Sequence, residues 1–163
     1  MPPNPPNTLT IYPSESTERA CRTHWHSSGS YSKPLQIGGS NGGTMRSNKE
    51  SSHGGNAGLD GGAIQWMAAI KRQNNDVSYG DLYTLAGVVA IEAMGGLVIK
   101  WRAGRVAVTP DDRLPNDDSG PPGVNPTDAK HLRDVFGRMG FTDQDIVALS
   151  GALAVRRCHK SAK

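Results

Sequence analysis

Arg22, Trp25 and His26 are the residues of this chain whose types and spacing are best suited to chemistry; they stand in the run R-x-x-W-H-S-S-G. Residues three and four apart share one face of a helix, so these side chains are expected to project into one site. A neutral imidazole can take a proton from one oxygen of hydrogen peroxide and return it to the other. A guanidinium can stabilise the negative charge that grows as the oxygen–oxygen bond breaks. The spacing therefore predicts an acid–base site suited to peroxide.

Asn56, in the string G-N-A-G-L, is the candidate partner of His26. Its side-chain oxygen can accept a hydrogen bond from the second ring nitrogen of the histidine, which would fix the tautomer whose working nitrogen starts as an acceptor. The alternative is that Arg22 and His26 lie one turn apart on a solvated helix face.

Further strings favour the first interpretation, because from Cys21 to His159 the chain resembles the class I haem peroxidases, the intracellular group of cytochrome c and ascorbate peroxidases. The matching strings are W-H-S-S-G-S-Y at 25–31, G-G-S-N-G-G-T-M-R at 38–46, H-G-G-N-A-G-L at 53–59, V-S-Y-G-D-L-Y-T-L-A-G-V-V-A-I-E-A-M-G-G at 77–96, W-R-A-G-R-V at 101–106 and H-L-R-D-V-F-G-R-M-G-F-T-D-Q-D-I-V-A-L-S-G-A at 131–152. A tryptophan directly before the distal histidine is typical of class I.

This resemblance implies an all-α fold, namely the distal helical domain of a haem peroxidase, with haem b as the cofactor. It makes His26 the distal acid–base, Arg22 the transition-state stabiliser and Asn56 the residue that orients His26. Trp25 is expected to cover the distal face of the haem, and Pro115 to form part of the pocket wall.

Near the end of the chain, His159 matches a histidine that lies near a haem propionate in the family, and Arg157 would suit that anionic group. The alternative for Arg157 is a helix C-terminus that favours cations. At the position of the iron-binding histidine, within A-L-S-G-A-L-A, the chain has Leu153. Leucine has no lone pair, so no metal ligand is expected there. Thr23 and His24 also depart from the family, which has apolar residues at both positions.

The function implied by the resemblance is reduction of hydrogen peroxide with one-electron donors, as in oxidative-stress defence. The donor is not identified. The residues that serve cytochrome c belong to the family's second, proximal domain, which is expected to be missing, and the arginine used for ascorbate is matched by Ala162. The alternative is a catalytically inactive member or fragment of the family that binds haem weakly or not at all and interacts with a partner.

Composition bounds the remaining classes. A net charge of +3 without a basic run argues against nucleic acid, and no apolar run approaches the roughly 20 residues of a membrane span. Residues 1–16 are expected to form a disordered, proline-rich tail, and residues 17–163 a partial distal domain. No signal or transit pattern is evident, so an intracellular, cytoplasmic protein is expected.

Hydrophobic spacing predicts five helices, over Thr17–His26, Asp60–Gln73, Val77–Met94, a stretch from Thr127 to about Gly140, and a stretch from Thr142 to the end of the chain. Thr142 and Asp145 resemble a capping box. Four large side chains are expected to fill the core, namely Met45, Trp66, Met94 and Trp101.

Overall fold

The computed structural model describes residues 15–108 and 129–151. Six α-helices account for most of them: α1 (Glu15–Gly29), α2 (Asn48–Ser51), α3 (Gln65–Gln73), α4 (Tyr79–Ala93), α5 (Ala129–Met139) and α6 (Asp143–Ser150). Within these ranges no β-strand forms, and extended pairing is confined to a single bridge between Ser32 and Ile37. The all-α prediction is confirmed.

Short turns of helix connect the longer ones. The 3₁₀ segments are Ser40–Gly42, Thr44–Arg46 and Gly54–Asn56, and a π-helical turn covers Asp60–Ile64. The sequence predicted one helix from Asp60 to Gln73, whereas the α-helical part begins only at Gln65. The widened turn contains Gly61 and Gly62, and glycine accommodates such irregular backbone more easily than other residues.

Two helix starts follow from their capping residues. Ser78 accepts a hydrogen bond from the backbone N–H of Asp81 at 3.0 Å and opens α4. Thr142 accepts from the backbone N–H of Asp145, whose carboxylate accepts in return from the backbone N–H of Thr142 at 2.9 Å. This reciprocal pair is the predicted capping box, which therefore is confirmed at the start of α6.

The core lies where α3, α4 and the preceding short helices meet. Its buried members are Met45, Ala63, Met67, Leu82 and Tyr83. The packing prediction holds for Met45 but is wrong for Trp66 and Met94, which are 47% and 39% exposed. Trp66 stands one position before the buried Met67 on α3, and neighbouring helical positions face different directions.

Helix α1 packs mainly on α4, and this contact fixes the helix that carries the candidate site. The side chain of His24 on α1 lies against Gly87 on α4, where a Cβ atom would stand 2.8 Å from the imidazole ring. Glycine at position 87 therefore allows the two helices to approach with a histidine between them. None of the described helices is long and apolar enough to cross a membrane.

Candidate active site

His26 lies near the end of α1 and is almost completely buried, with 5% of its surface exposed. Its Nδ1 atom is 2.8 Å from Oδ1 of Asn56. An amide oxygen can only accept a hydrogen bond, so Nδ1 of His26 carries the proton and donates. The other ring nitrogen, Nε2, is then the basic one in the neutral ring.

Asn56 is itself held in place. It closes the short 3₁₀ segment Gly54–Asn56, is 2% exposed, and its Nδ2 donates to the backbone carbonyl of Glu50 at 2.7 Å. Because Nδ2 is engaged as a donor there, Oδ1 is the atom turned toward His26. The two hydrogen bonds therefore run in one direction: the His26 imidazole donates to the Asn56 amide, which donates to the Glu50 carbonyl.

The sequence did not indicate a role for Glu50, although this residue is the third member of the hydrogen-bonded series. Ser47 and Glu50 have the S-x-x-E spacing of a capping box, in which the glutamate reaches back at the surface. In the structure Ser47 accepts instead from the backbone N–H of Lys49, and the Glu50 side chain is buried, with 1% exposed. The spacing located the helix start but could not indicate that its glutamate points inward.

Burial raises the pKa of the Glu50 carboxyl from its ordinary value of 4.5 to about 7, while the hydroxyls of Thr44 and Ser27 act in the opposite direction. Burial is also the main cause of the raised pKa of Tyr83, and Glu50 adds to it by its charge. A buried carboxyl with a raised pKa therefore lies directly behind the backbone group that holds Asn56.

The other two residues of the predicted site lie on the same helix. Arg22 and Trp25 are both partly buried, and the Trp25 ring packs against Phe136 of α5 with ring centroids 6.2 Å apart. Phe136 in turn packs against Phe141 at 6.3 Å. Arg22, Trp25 and His26 thus all lie on α1, where His26 contacts Asn56 and Trp25 has an aromatic neighbour from α5.

Arg138 is a second residue that the sequence did not indicate. From α5 it donates to the carbonyl oxygens of Ser30 and Gly29 at 3.2 and 3.1 Å, and its own carbonyl accepts from the N–H of Lys33 at 2.9 Å. These bonds satisfy carbonyl groups at the end of α1, where a cation is favourable. A contact that spans more than a hundred residues leaves no signal in local sequence spacing.

The described residues have chemistry suited to the distal side of a haem, whereas the residue that resemblance matches to the axial ligand does not suit the opposite side. On the described side, the directed His26–Asn56 pair suits the distal face, where peroxide is handled. Pro115, Leu153, Arg157 and His159 lie outside the described residues, as do residues 1–14 of the predicted tail. Leu153, which sequence resemblance matches to the axial ligand of the family, has a hydrocarbon side chain that cannot ligate iron.

Comparison with known proteins gives the family directly. A family model described as Peroxidase matches residues 9–163. The chain is 50% identical over 143 residues to a mitochondrial cytochrome c peroxidase of Aspergillus fumigatus, and 50% identical over 144 residues to one of Cryptococcus neoformans var. grubii. It is 49% identical over 138 residues to a putative heme-binding peroxidase of Mycosarcoma maydis.

Each of these matches covers 85% of this chain but only 37%, 36% and 41%, respectively, of the relative. The chain therefore spans about two fifths of the length of the curated relatives it matches.

Several of the relatives are named mitochondrial, including a putative cytochrome c peroxidase of Yarrowia lipolytica. The cytoplasmic prediction is therefore wrong. It rested only on the lack of a recognisable signal or transit pattern, and the names of the relatives contradict it. From its family match, its identity to these relatives and its helical fold, the chain belongs to the peroxidase family, as a class I haem peroxidase.

Proposed function

We propose that this chain supplies the distal, peroxide-handling half of a haem peroxidase site, with His26 as the acid–base and Asn56 as the residue that orients it. The observation that carries the proposal is the buried hydrogen bond of 2.8 Å between His26 and Asn56, continued to the Glu50 carbonyl at 2.7 Å. Haem, which the family implies as the cofactor, supplies when bound the electrons that cleave the oxygen–oxygen bond.

The work of the chain's own residues follows from this hydrogen-bond direction. With Nδ1 protonated, Nε2 of His26 accepts the proton of one peroxide oxygen and delivers it to the other, so that the leaving oxygen departs as water instead of hydroxide. Asn56 accepts from Nδ1–H before and after Nε2 is protonated, so the proton that Nε2 takes up is the one it passes on. Arg22, one turn earlier on α1, stabilises the negative charge on the separating oxygen.

The first test replaces His26 with leucine in the haem-loaded protein. Loss of the general base should slow the reaction with hydrogen peroxide by about 10²- to 10⁴-fold, measured by stopped-flow absorption of the haem band. His131→Gln, a histidine change on α5, is the matched control and should leave the rate unchanged. An unaltered rate in His26→Leu would exclude His26 as the acid–base.

A second candidate, a catalytically inactive member of the family, is favoured by Leu153 at the axial position. Without an axial imidazole, iron lacks the ligand that promotes cleavage of the oxygen–oxygen bond. We expect Leu153→His to tighten haem binding and to give a histidine-ligated ferric spectrum, recorded in a hemin titration. Leu149→His is the control, because it places a histidine at another leucine one helical turn earlier. Equal spectra for Leu153→His and the parent chain would contradict the assigned axial position.

The same relatives suggest the setting of the whole protein. Because several are named mitochondrial cytochrome c peroxidases, we propose a mitochondrial location and a cytochrome c-type electron donor. Oxidation of reduced cytochrome c by peroxide in the presence of the haem-loaded protein tests the donor. Absence of oxidation by a Leu153→His variant that reacts with peroxide would exclude this donor for the chain.

A further inference from the structure

A cleft of about 360 Å³ lies beside α1 and α4, and the proposed function does not use it. Its walls come from His24 on α1, Thr84 on α4 and the irregular segment 99–105. The volume is within the range of pockets that bind small organic molecules. The composition of the walls indicates what kind of molecule.

The charge of this cleft is positive. Lys100, Arg102 and Arg105 line it, and Lys100 and Arg102 are exposed. The carboxylate beside them, Asp81, already accepts from the N–H of Gly104 at 2.8 Å and from the N–H and Nη1 of Arg105 at 3.1 Å. These hydrogen bonds, led by that of Gly104, hold the pKa of Asp81 below its ordinary value. Three cations against one occupied carboxylate leave an excess of positive charge for an anion.

One wall of the cleft contains the flat indole ring of Trp101. The indole N–H of Trp101 donates to the Thr84 hydroxyl at 3.0 Å, and the Arg105 guanidinium lies 6.0 Å from the ring centroid. The hydrogen bond anchors the polar edge of the indole, and the guanidinium lies within cation–π range of its ring. Such a surface suits a planar, apolar group.

His24 adds a polar group that nothing in the described structure satisfies. Its Nδ1 is buried and has no hydrogen-bond partner among the described residues. Burial, and to a smaller extent the charge of Arg105, lowers the pKa of His24, so its ring is neutral at pH 7. A buried polar atom without a partner is costly, and a ligand in the cleft could satisfy it. Sequence resemblance places an apolar residue at this position in the family, so the histidine is a feature of this chain.

We propose that this cleft binds a small organic anion with a flat aromatic body, its carboxylate held by Lys100 and Arg102 and its ring against Trp101. Binding at this place does not require haem, because none of the wall residues belongs to the proposed peroxide site. Failure of the peroxide tests would therefore leave the cleft proposal standing, and the reverse also holds.

The experiment uses 2-naphthoate as the probe, with its uncharged amide, 2-naphthamide, and inorganic phosphate as comparisons. Binding is followed through the indole N–H signal of Trp101 in nitrogen-edited NMR spectra, assigned with Trp101→Phe. We expect a saturable one-to-one shift with 2-naphthoate and affinities about ten-fold lower for the amide and for phosphate, each of which lacks one half of the recognised chemistry. Added salt should weaken the binding of 2-naphthoate without any mutation.

The pair of changes Lys100→Gln and Arg102→Gln should lower the affinity about ten-fold. The pair Lys49→Gln and Arg72→Gln removes the same charge from exposed positions elsewhere and should leave it unchanged. Equal binding of the amide and the acid would overturn the proposal, as would equal losses in the two paired variants, phosphate binding as tight as that of 2-naphthoate, or a shift of the Trp66 signal instead of Trp101.

Discussion

At the scale of single residues, the most informative group is Glu50, because its backbone and its side chain do different things. The carbonyl holds Asn56, and the carboxyl is buried behind it. Replacing the side chain with an isosteric amide leaves the carbonyl in place, so the cost of the buried acid can be measured without dismantling the site.

Glu50→Gln should change the pH dependence of stability. With a folded-state pKa of about 7 against an ordinary value of 4.5, the folded protein binds more protons than the unfolded chain between these pH values. The free energy of unfolding of the parent chain therefore falls as pH rises through this window, by about 3 kcal/mol from this group alone. The glutamine variant has no such loss. Its free energy of unfolding, measured in urea, should therefore rise relative to that of the parent chain between about pH 5 and about pH 8.

Glu92→Gln on α4 is the control for this measurement, because Glu92 is exposed. Its difference from the parent chain should stay nearly constant with pH. A Glu50→Gln difference that is equally constant would mean that the carboxyl ionises freely in the folded protein.

The hydrogen bond between His26 and Asn56 could be predicted from residue types, whereas the residues that support it could not. His26, Asn56 and Arg22 could be named from their types and from the strings around them. The role of Glu50 could not be predicted, because its spacing from Ser47 is typical of a cap at the surface. The burial of its side chain depends instead on tertiary contacts with Ser27 and Thr44. Local patterns encode helix starts; inward rotation of one side chain is decided by tertiary contacts.

At the scale of elements, the contact between α1 and α4 sets the position of the candidate site. Gly87→Ala should destabilise the protein by about 1 kcal/mol, because overpacking costs about 1–3 kcal/mol and the better helix propensity of alanine returns less than 1. The added Cβ would meet not only the ring of His24 but also its Cβ, 2.9 Å away, so a change of rotamer cannot relieve the contact. Chemical unfolding measures the loss.

Gly137→Ala is the matched change, since a Cβ on this glycine of α5 meets nothing within 4 Å. It should stabilise the protein by up to about 1 kcal/mol. Combining Gly87→Ala with His24→Ala should recover only the part of the loss that comes from the imidazole ring, 2.8 Å away, because alanine keeps the Cβ that also meets the added methyl group. Additive losses in the double variant would show that the two side chains do not compete for the same space.

Helix bounds were predicted where a polar cap stood before an apolar stripe, as at Thr142 and near Ser78. They were missed where neither signal applied: α1 extends to Gly29, three residues beyond the expected His26, and the π-helical turn before α3 was not anticipated. The end of α1 is stabilised by Arg138 from another helix, which is a tertiary cause with no local pattern.

At the scale of the whole molecule, the described part of the chain exposes several large apolar side chains. Among them are Leu35, Leu97, Val98, Val106, Phe141 and Val147. Three of these lie on the irregular segment after α4. Phe141 precedes α6 and Val147 lies on it, and among the described elements α6 packs mainly on α5.

We therefore expect the chain by itself to bind an apolar dye and to self-associate as its concentration rises, measured by dye fluorescence and by sedimentation. Val147→Glu should reduce both effects, because it places a charge on the exposed face of α6. Val77→Glu, at a partly buried position that packs against the core, should reduce stability without this benefit. A monomer that binds no dye would contradict the expectation.

The contact of Arg138 with the end of α1 also has a consequence for the order of folding. His26 and Asn56 are 30 positions apart, whereas Arg138 is 108 positions from Ser30. Closing the longer loop costs more chain entropy, and during synthesis the second contact must wait until α5 has left the ribosome. We infer that the histidine–asparagine pair assembles first on the α1–α4 unit and that the last turn of α1 becomes protected from hydrogen exchange only in a later, separate step.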